Sequence, residues 1–133
     1  MIRVSLADDG FCFACGMDNS SGLRLEFRGG NGRVTSEFVP QKAHQGFKDI
    51  VHGGIITTIL DEAMVKAVLS LGIEALTAEI TVRFKMPLLV GEKAFIEAEI
   101  NKIGNRLVET SARIRKADAS VVAEAGAKLL RNA

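Results

Sequence analysis

The sequence predicts an α+β domain, an antiparallel sheet covered by a single long helix. Three observations carry that prediction. Residues 51–72, VHGGIITTILDEAMVKAVLSLG, form a long apolar stretch with helical spacing. Short runs before and after it alternate apolar and polar residues with the two-residue period of half-buried strands. No other segment is suited to cover a sheet with one apolar face, so the helix is expected to lie on it.

The elements follow in order. LRLEFR (23–28) sets Leu23, Leu25 and Phe27 on one side and Arg24, Glu26 and Arg28 on the other, which predicts a strand. GGNG (29–32) is a hairpin turn and RVTSEFV (33–39) the returning strand. A loop, PQKAHQGFKDI, leads into the helix from about Val51 to Leu71, closed by Gly72. ALTAEITVRFK (75–85) alternates again with Leu76, Ala78, Ile80, Val82 and Phe84 inward, and the pattern breaks at Pro87. Three further strand-like runs, 93–103, 106–115 and 121–130, are separated by GN and KADA turn signals. The expected order is strand, strand, helix, then four strands in a meander.

The 133 residues read as one domain, 1–133. A net charge of +1 gives no electrostatic reason to expect nucleic acid or an anionic membrane as a partner. No apolar run reaches membrane-spanning length, and MIRVSLADDGFC lacks a signal-peptide core, so a cytoplasmic protein is expected. Cys12 and Cys15 form one CxxC, which is no disulfide framework. With only two thiols and two histidines the chain is far from a four-ligand metal pattern, and no metal or cofactor is expected.

The helix carries two adjacent carboxylates. Ile55, Ile56, Ile59, Leu60, Ala63, Met64, Ala67 and Leu71 make the broad apolar face expected against the sheet. Val65, Val68 and Leu69 place apolar groups on the far side too, so a second cover is expected, most simply another copy of the chain. Glu62 has Lys66 four residues on, in the favourable orientation for an ion pair. Asp61 has only Thr57, Thr58, Met64 and Val65 at helical distance. A carboxylate set among methyls and hydroxyls is desolvated, which is how sites make a base or nucleophile. An aspartate at a groove edge, or one bonded to a threonine hydroxyl, is equally compatible with the periodicity.

His52-Gly53-Gly54 opens the helix. Glycine amides at a helix start are unobstructed donors favoured by the dipole, and such amides can hold a carbonyl oxygen that becomes an oxyanion; a loop-to-helix turn that needs glycine is the commoner explanation of such a pair taken alone. Gly54 and Asp61 are about 10 Å apart along one helix at ~1.5 Å per residue. If both serve one substrate, they must come from different helices. Two chains packed about a two-fold axis meet that condition and give two equivalent sites.

These residues resemble the hot-dog-fold thioesterases of the 4-hydroxybenzoyl-CoA and phenylacetate-pathway type. CFACGMDNSSGLRLEF looks like that family's opening, VHGGIITTILDEAM like its central-helix signature and TAEITVRFKMPL like its third strand. The resemblance implies a sheet wrapped around one central helix, a homodimer with a dimer of dimers left open, and hydrolysis of acyl-CoA. Carried over by position, Asp61 is the catalytic base or nucleophile, Gly53 and Gly54 polarise the carbonyl, and His52 orders the turn. Thr77 matches a hydroxyl that positions water or substrate. Strict alternation sets Thr77 beside Glu79 and Arg83, so it reaches the site only at a sheet edge or a bulge. Gln45 stands in for an amide side chain of the preceding loop, while His44 reads as a loop histidine. Gln45, Thr58 and Glu62 are the expected substrate contacts. Arg83, Lys85, Arg113, Arg115 and Lys116 are candidates for the CoA phosphates, although strand-face charges are ordinarily solvated surface. A non-catalytic acyl-CoA sensor on the same fold is the competing reading, and hydration of an enoyl thioester a weaker third.

Overall fold

The computed structural model describes residues 3–132. Six strands form one antiparallel sheet: β1 (Arg28–Gly30), β2 (Arg33–Phe38), β3 (Ala75–Phe84), β4 (Ala94–Ile103), β5 (Leu107–Arg115) and β6 (Val121–Arg131). A single α-helix, α1 (Gly53–Leu69), lies across it. A short 3-10 turn spans Lys42–His44. No helix among the described residues is long and apolar enough to cross a membrane.

The strand order is β1-β2-β4-β5-β6-β3. The meander is therefore three strands, β4 to β6, rather than the expected four. β3 pairs with β6 and not with β4. Length decides this: two to five residues close a hairpin, as at residues 104–106 and 116–120, whereas residues 85–93 carry the chain from one sheet edge across to β2. The Val51 amide donates to the Leu88 carbonyl (2.9 Å), which holds that crossing against the helix entrance.

The expected strand over 23–28 is reduced to its last residue. Leu23 and Leu25 are buried as the alternation requires, but their amides donate to Phe13 and Ala14 (2.8 and 2.9 Å) instead of joining the sheet. Arg24 between them has φ of +52°, which no strand accommodates. The hairpin itself turns on Asn31 and Gly32, both at positive φ, the signature of a two-residue type I′ loop.

The core lies between α1 and the sheet's inner face. Ile59, Leu60, Ala63, Met64, Ala67 and Val68 are fully buried on the helix, facing Val34, Phe38, Ile96, Val108, Ile114 and Leu129. Burying each large side chain contributes roughly 1.5–3 kcal/mol. Val68 takes the core position expected of Leu71, which is 41% exposed because the helix has already ended. At that end the Ser70 hydroxyl donates to the Ala67 carbonyl and accepts from the Gly32 amide, tying the β1–β2 turn to the helix.

On β3 the inner face is Ala75, Thr77, Ile80, Val82 and Phe84, not the even-numbered set throughout. Thr77 opposes Leu129 and Glu79 opposes Lys128, so Ala78 is an extra residue without a partner on β6. This bulge reverses the side-chain alternation. Leu76 and Ala78 are turned outward and exposed, whereas Ile80 and Val82 pack on the core.

Candidate active site

The bulge at Ala78 sets Thr77 facing the middle of α1. There its hydroxyl donates to Asp61 Oδ1 at 2.5 Å. Asp61 is half-buried, and this is the one hydrogen bond its side chain makes among the described residues. Oδ2 is left available. The helix threonines that sequence spacing placed near Asp61 are engaged elsewhere. Thr57 Oγ1 donates to the Gly53 carbonyl and Thr58 Oγ1 to the Gly54 carbonyl, each at 2.9 Å. With its proton so used, the Thr58 hydroxyl offers a ligand only an acceptor.

His52 is the N-cap of α1, and its Nδ1 accepts from the Gly54 amide at 2.8 Å. That bond places the imidazole proton on Nε2. It also makes the two glycines unequal. The Gly54 amide is taken by its own cap, while the Gly53 amide has no hydrogen-bond partner among the described residues. Gly54 is sterically committed as well: a Cβ there would lie 3.0 Å from His52 Nδ1. Gly46 packs on the other side, where a Cβ would meet His52 Cα and Cδ2 at 3.3 Å. The turn is fixed further by the His52 amide, which donates to the His44 carbonyl at 2.9 Å.

Gln45 sits one residue from that carbonyl, its Oε1 accepting from the Asp49 amide at 3.0 Å, so its acceptor closes the loop. His44 accepts from the Gln41 amide through Nδ1 at 2.9 Å and packs at a tilt of 47° against Phe38, with ring centroids 5.2 Å apart. Burial lowers its pKa below the ordinary 6.5. It holds the loop together, as a plain loop histidine would.

Glu62 is not in ion-pair contact with Lys66. The helix turns it instead toward the segment before β1, where Cys12 Sγ donates to Glu62 Oε2 at 3.6 Å. Cys15 joins the group, and burial and then Glu62 push its thiol pKa up to about 12. Burial works against the Lys66 ammonium, but Cys15 and Glu62 beside it outweigh that and raise its pKa. The sequence could not show this contact, because Cys12 and Glu62 are 50 residues apart. Phe84 is another residue the alternation alone did not bring to the site: its ring lies where a Gly53 Cβ would be 3.6 Å away, and it is 58% exposed.

The basic candidates are largely engaged on the sheet. Lys85 pairs with Glu124, Arg113 and Arg115 with Glu97, and Lys116 with Glu92. A surface cleft of about 490 Å³, lined by Arg24, Arg28, Glu37, Phe95 and Arg115 among others, includes none of the helix residues. Alternating arginine and glutamate there describe a solvated strand face.

A model of the thioesterase superfamily matches residues 48–123, more than half the chain and all of α1. The chain belongs to the thioesterase superfamily. Among curated relatives of this thioesterase-superfamily chain, the acyl-coenzyme A thioesterase THEM4 of Xenopus laevis is 32% identical over 90 residues, 68% of this chain. The chain spans 40% of that protein's length, and 52% of a relative from Archaeoglobus fulgidus described as an esterase. Two solved structures share the fold. A hypothetical thioesterase of Streptococcus pneumoniae TIGR4 with coenzyme A superposes with a TM-score of 0.78 at 17% identity, covering 81% of this chain and 85% of that one. The PaaI protein of the E. coli phenylacetic acid degradation operon gives 0.79 at 20% identity, covering 84% and 81%. The streptococcal protein has also been crystallised as an aspartate-to-alanine and as a threonine-to-alanine mutant. The thioesterase-superfamily chain has the hot-dog arrangement, a single helix wrapped by a six-stranded antiparallel sheet.

Proposed function

We propose that this domain hydrolyses acyl-CoA thioesters to the free acid and CoA, with Asp61 as the reacting carboxylate. The observation that carries the reading is the Thr77–Asp61 hydrogen bond. It orients a half-buried carboxylate midway along the helix and leaves one oxygen free. Two facts from relatives support it. The Xenopus laevis relative THEM4 is named an acyl-coenzyme A thioesterase, and the aspartate and threonine replaced in the streptococcal mutants are 16 residues apart, the separation of Asp61 and Thr77.

The carbonyl donor is assigned to the Gly53 amide, since His52 occupies that of Gly54. Gly53 and Asp61 are eight residues apart on one helix, ~12 Å at 1.5 Å per residue, too far to serve one thioester. The donor therefore comes from a second copy, and the functional unit is a homodimer with two equivalent sites. The surface available for it is apolar: Leu69 on the helix and Leu76 and Phe84 on the edge strand β3 are all more than one-third exposed. In this arrangement the Gly53 amide of one chain polarises the thioester carbonyl over Asp61 of the other. Asp61 Oδ2 either takes the proton of an attacking water or attacks the carbonyl itself, giving a mixed anhydride that water opens. The CoA sulfur leaves in both routes.

Asp61→Asn keeps the shape and the Thr77 contact but supplies no anionic oxygen. It is expected to lose acyl-CoA hydrolysis, read as free-thiol release, while light scattering still reports a dimer. Unchanged turnover would exclude Asp61. Tight acyl-CoA binding by the wild type with no CoA release would favour the sensor reading instead.

A further inference from the structure

We propose that Cys12, Cys15 and Glu62 form a binding site for one thiophilic divalent cation of the Zn²⁺ class, with a fourth position open. The sequence offered only two thiols and two histidines, which argued against a metal. The fold supplies a third ligand from the central helix. One ligand atom from each residue lies within 4.8 Å of the others, and Cys12 Sγ stands 3.6 Å from Glu62 Oε2. A tetrahedral zinc ion with Zn–S of ~2.3 Å and Zn–O of ~2.0 Å sets sulfur-to-oxygen edges of about 3.5 Å and sulfur-to-sulfur edges of about 3.8 Å. The Cys12–Glu62 separation matches that edge, and the remaining separations, none above 4.8 Å, close by about 1.3 Å at most.

The loop that presents the sulfurs is built for them. The Cys15 amide donates to Cys12 Sγ at 3.5 Å, which fixes the sulfur within the loop. The Gly16 amide donates to the Cys12 carbonyl at 2.8 Å. A side chain at Gly16 would lie 2.5 Å from both the Cys12 nitrogen and the Gly10 oxygen, so this CxxCG turn admits only glycine there. All three ligand residues are half-buried, which leaves an entry path.

Charge and softness select the ion. Two thiolates and a carboxylate carry three negative charges, which a divalent cation and the Lys66 ammonium beside Cys15 cancel. Thiolates favour zinc and its soft neighbours over magnesium and calcium. A bound ion would staple the 12–16 loop to α1 one residue from Asp61.

The test uses the full chain, reduced and stripped with a chelator, then titrated with Zn²⁺ against a chromogenic chelator and with Co²⁺ by absorption. The expected result is one equivalent per chain, a thiolate-to-cobalt charge-transfer band and a higher Tm with Zn²⁺. Glu62→Gln should bind at least about tenfold more weakly, the loss that removing even an outer-shell partner produces. The Cys12→Ser/Cys15→Ser double variant, checked for folding by circular dichroism, should show no band. Asp61→Asn should titrate like the wild type, which separates this site from the hydrolytic one. The proposal is overturned if the reduced protein gives no charge-transfer band, if Glu62→Gln binds as tightly as wild type, or if Asp61→Asn abolishes binding. A Cys12–Cys15 disulfide as the only chemistry of the pair would overturn it equally.

Discussion

Replacing Thr77 by valine removes one hydroxyl and keeps the branched shape that packs opposite Leu129 on β6. The lost contact is a 2.5 Å hydrogen bond to a carboxylate. Bonds to charged groups contribute about 1.5–3 kcal/mol. At about 1.4 kcal/mol per factor of ten, complete transfer of that energy to the transition state lowers turnover roughly 10- to 100-fold. Thr77 acts through Asp61, so the loss should fall on kcat with KM little changed. Thr77→Ser restores the donor at the cost of one methyl and should recover most of the rate. The assay is steady-state acyl-CoA hydrolysis followed by thiol release, with thermal melts showing that both variants fold. Retention of kcat within about threefold in Thr77→Val, or failure of serine to rescue, would refute the argument that the bulge exists to orient Asp61.

The helix entrance gives two further expectations. His52→Ala removes the cap on the Gly54 amide, which should cost about 0.5–2 kcal/mol and lower Tm by several degrees. Gly54→Ala should reproduce the destabilisation without touching the histidine, because its methyl would sit 3.0 Å from His52 Nδ1. Melts of both variants and their double mutant check this, and additive losses would contradict a shared origin. His44 provides a pH dependence. Its pKa is lowered by burial from 6.5, so the unfolded chain binds the proton more readily. Stability from this group is present above pH 6.5 and declines as pH falls toward the folded-state value. Protonation also removes the acceptor used by the Gln41 amide. His44→Asn should flatten the fall in Tm below that pH, and an unchanged slope would exclude His44 as its source.

Most of the fold was legible because burial imposes a period. The helix and the four long strands emerge within one or two residues of their expected ends, since each buries a stripe the sequence displays. What failed had a physical reason in each case. Leu23 and Leu25 alternate like a strand because both are buried, yet burial against a neighbouring loop produces the same pattern as burial in a sheet. The pairing of β3 with β6 was not legible, because a nine-residue connection does not say which edge it reaches. The polar partner of Glu62 was missed because helical spacing offered Lys66 first, whereas the thiols come from a segment 50 residues away.

Thr77 shows how a candidate site residue can be visible in the sequence and its orientation not. An unbroken strand of alternating residues places Thr77 with Glu79 and Arg83, facing away from the helix. The single unpaired residue at Ala78 reverses that parity for half the strand. An extra residue is tolerated there because β3 is an edge strand, where a bulge disturbs one ladder instead of two. The same edge position leaves Leu76 and Phe84 exposed. Edge, bulge and apolar exposure are thus consequences of one placement. The site proposed above, with a hydroxyl beneath the helix and a second chain beside it, would require that strand to be at the border of the sheet, which is where the fold puts it.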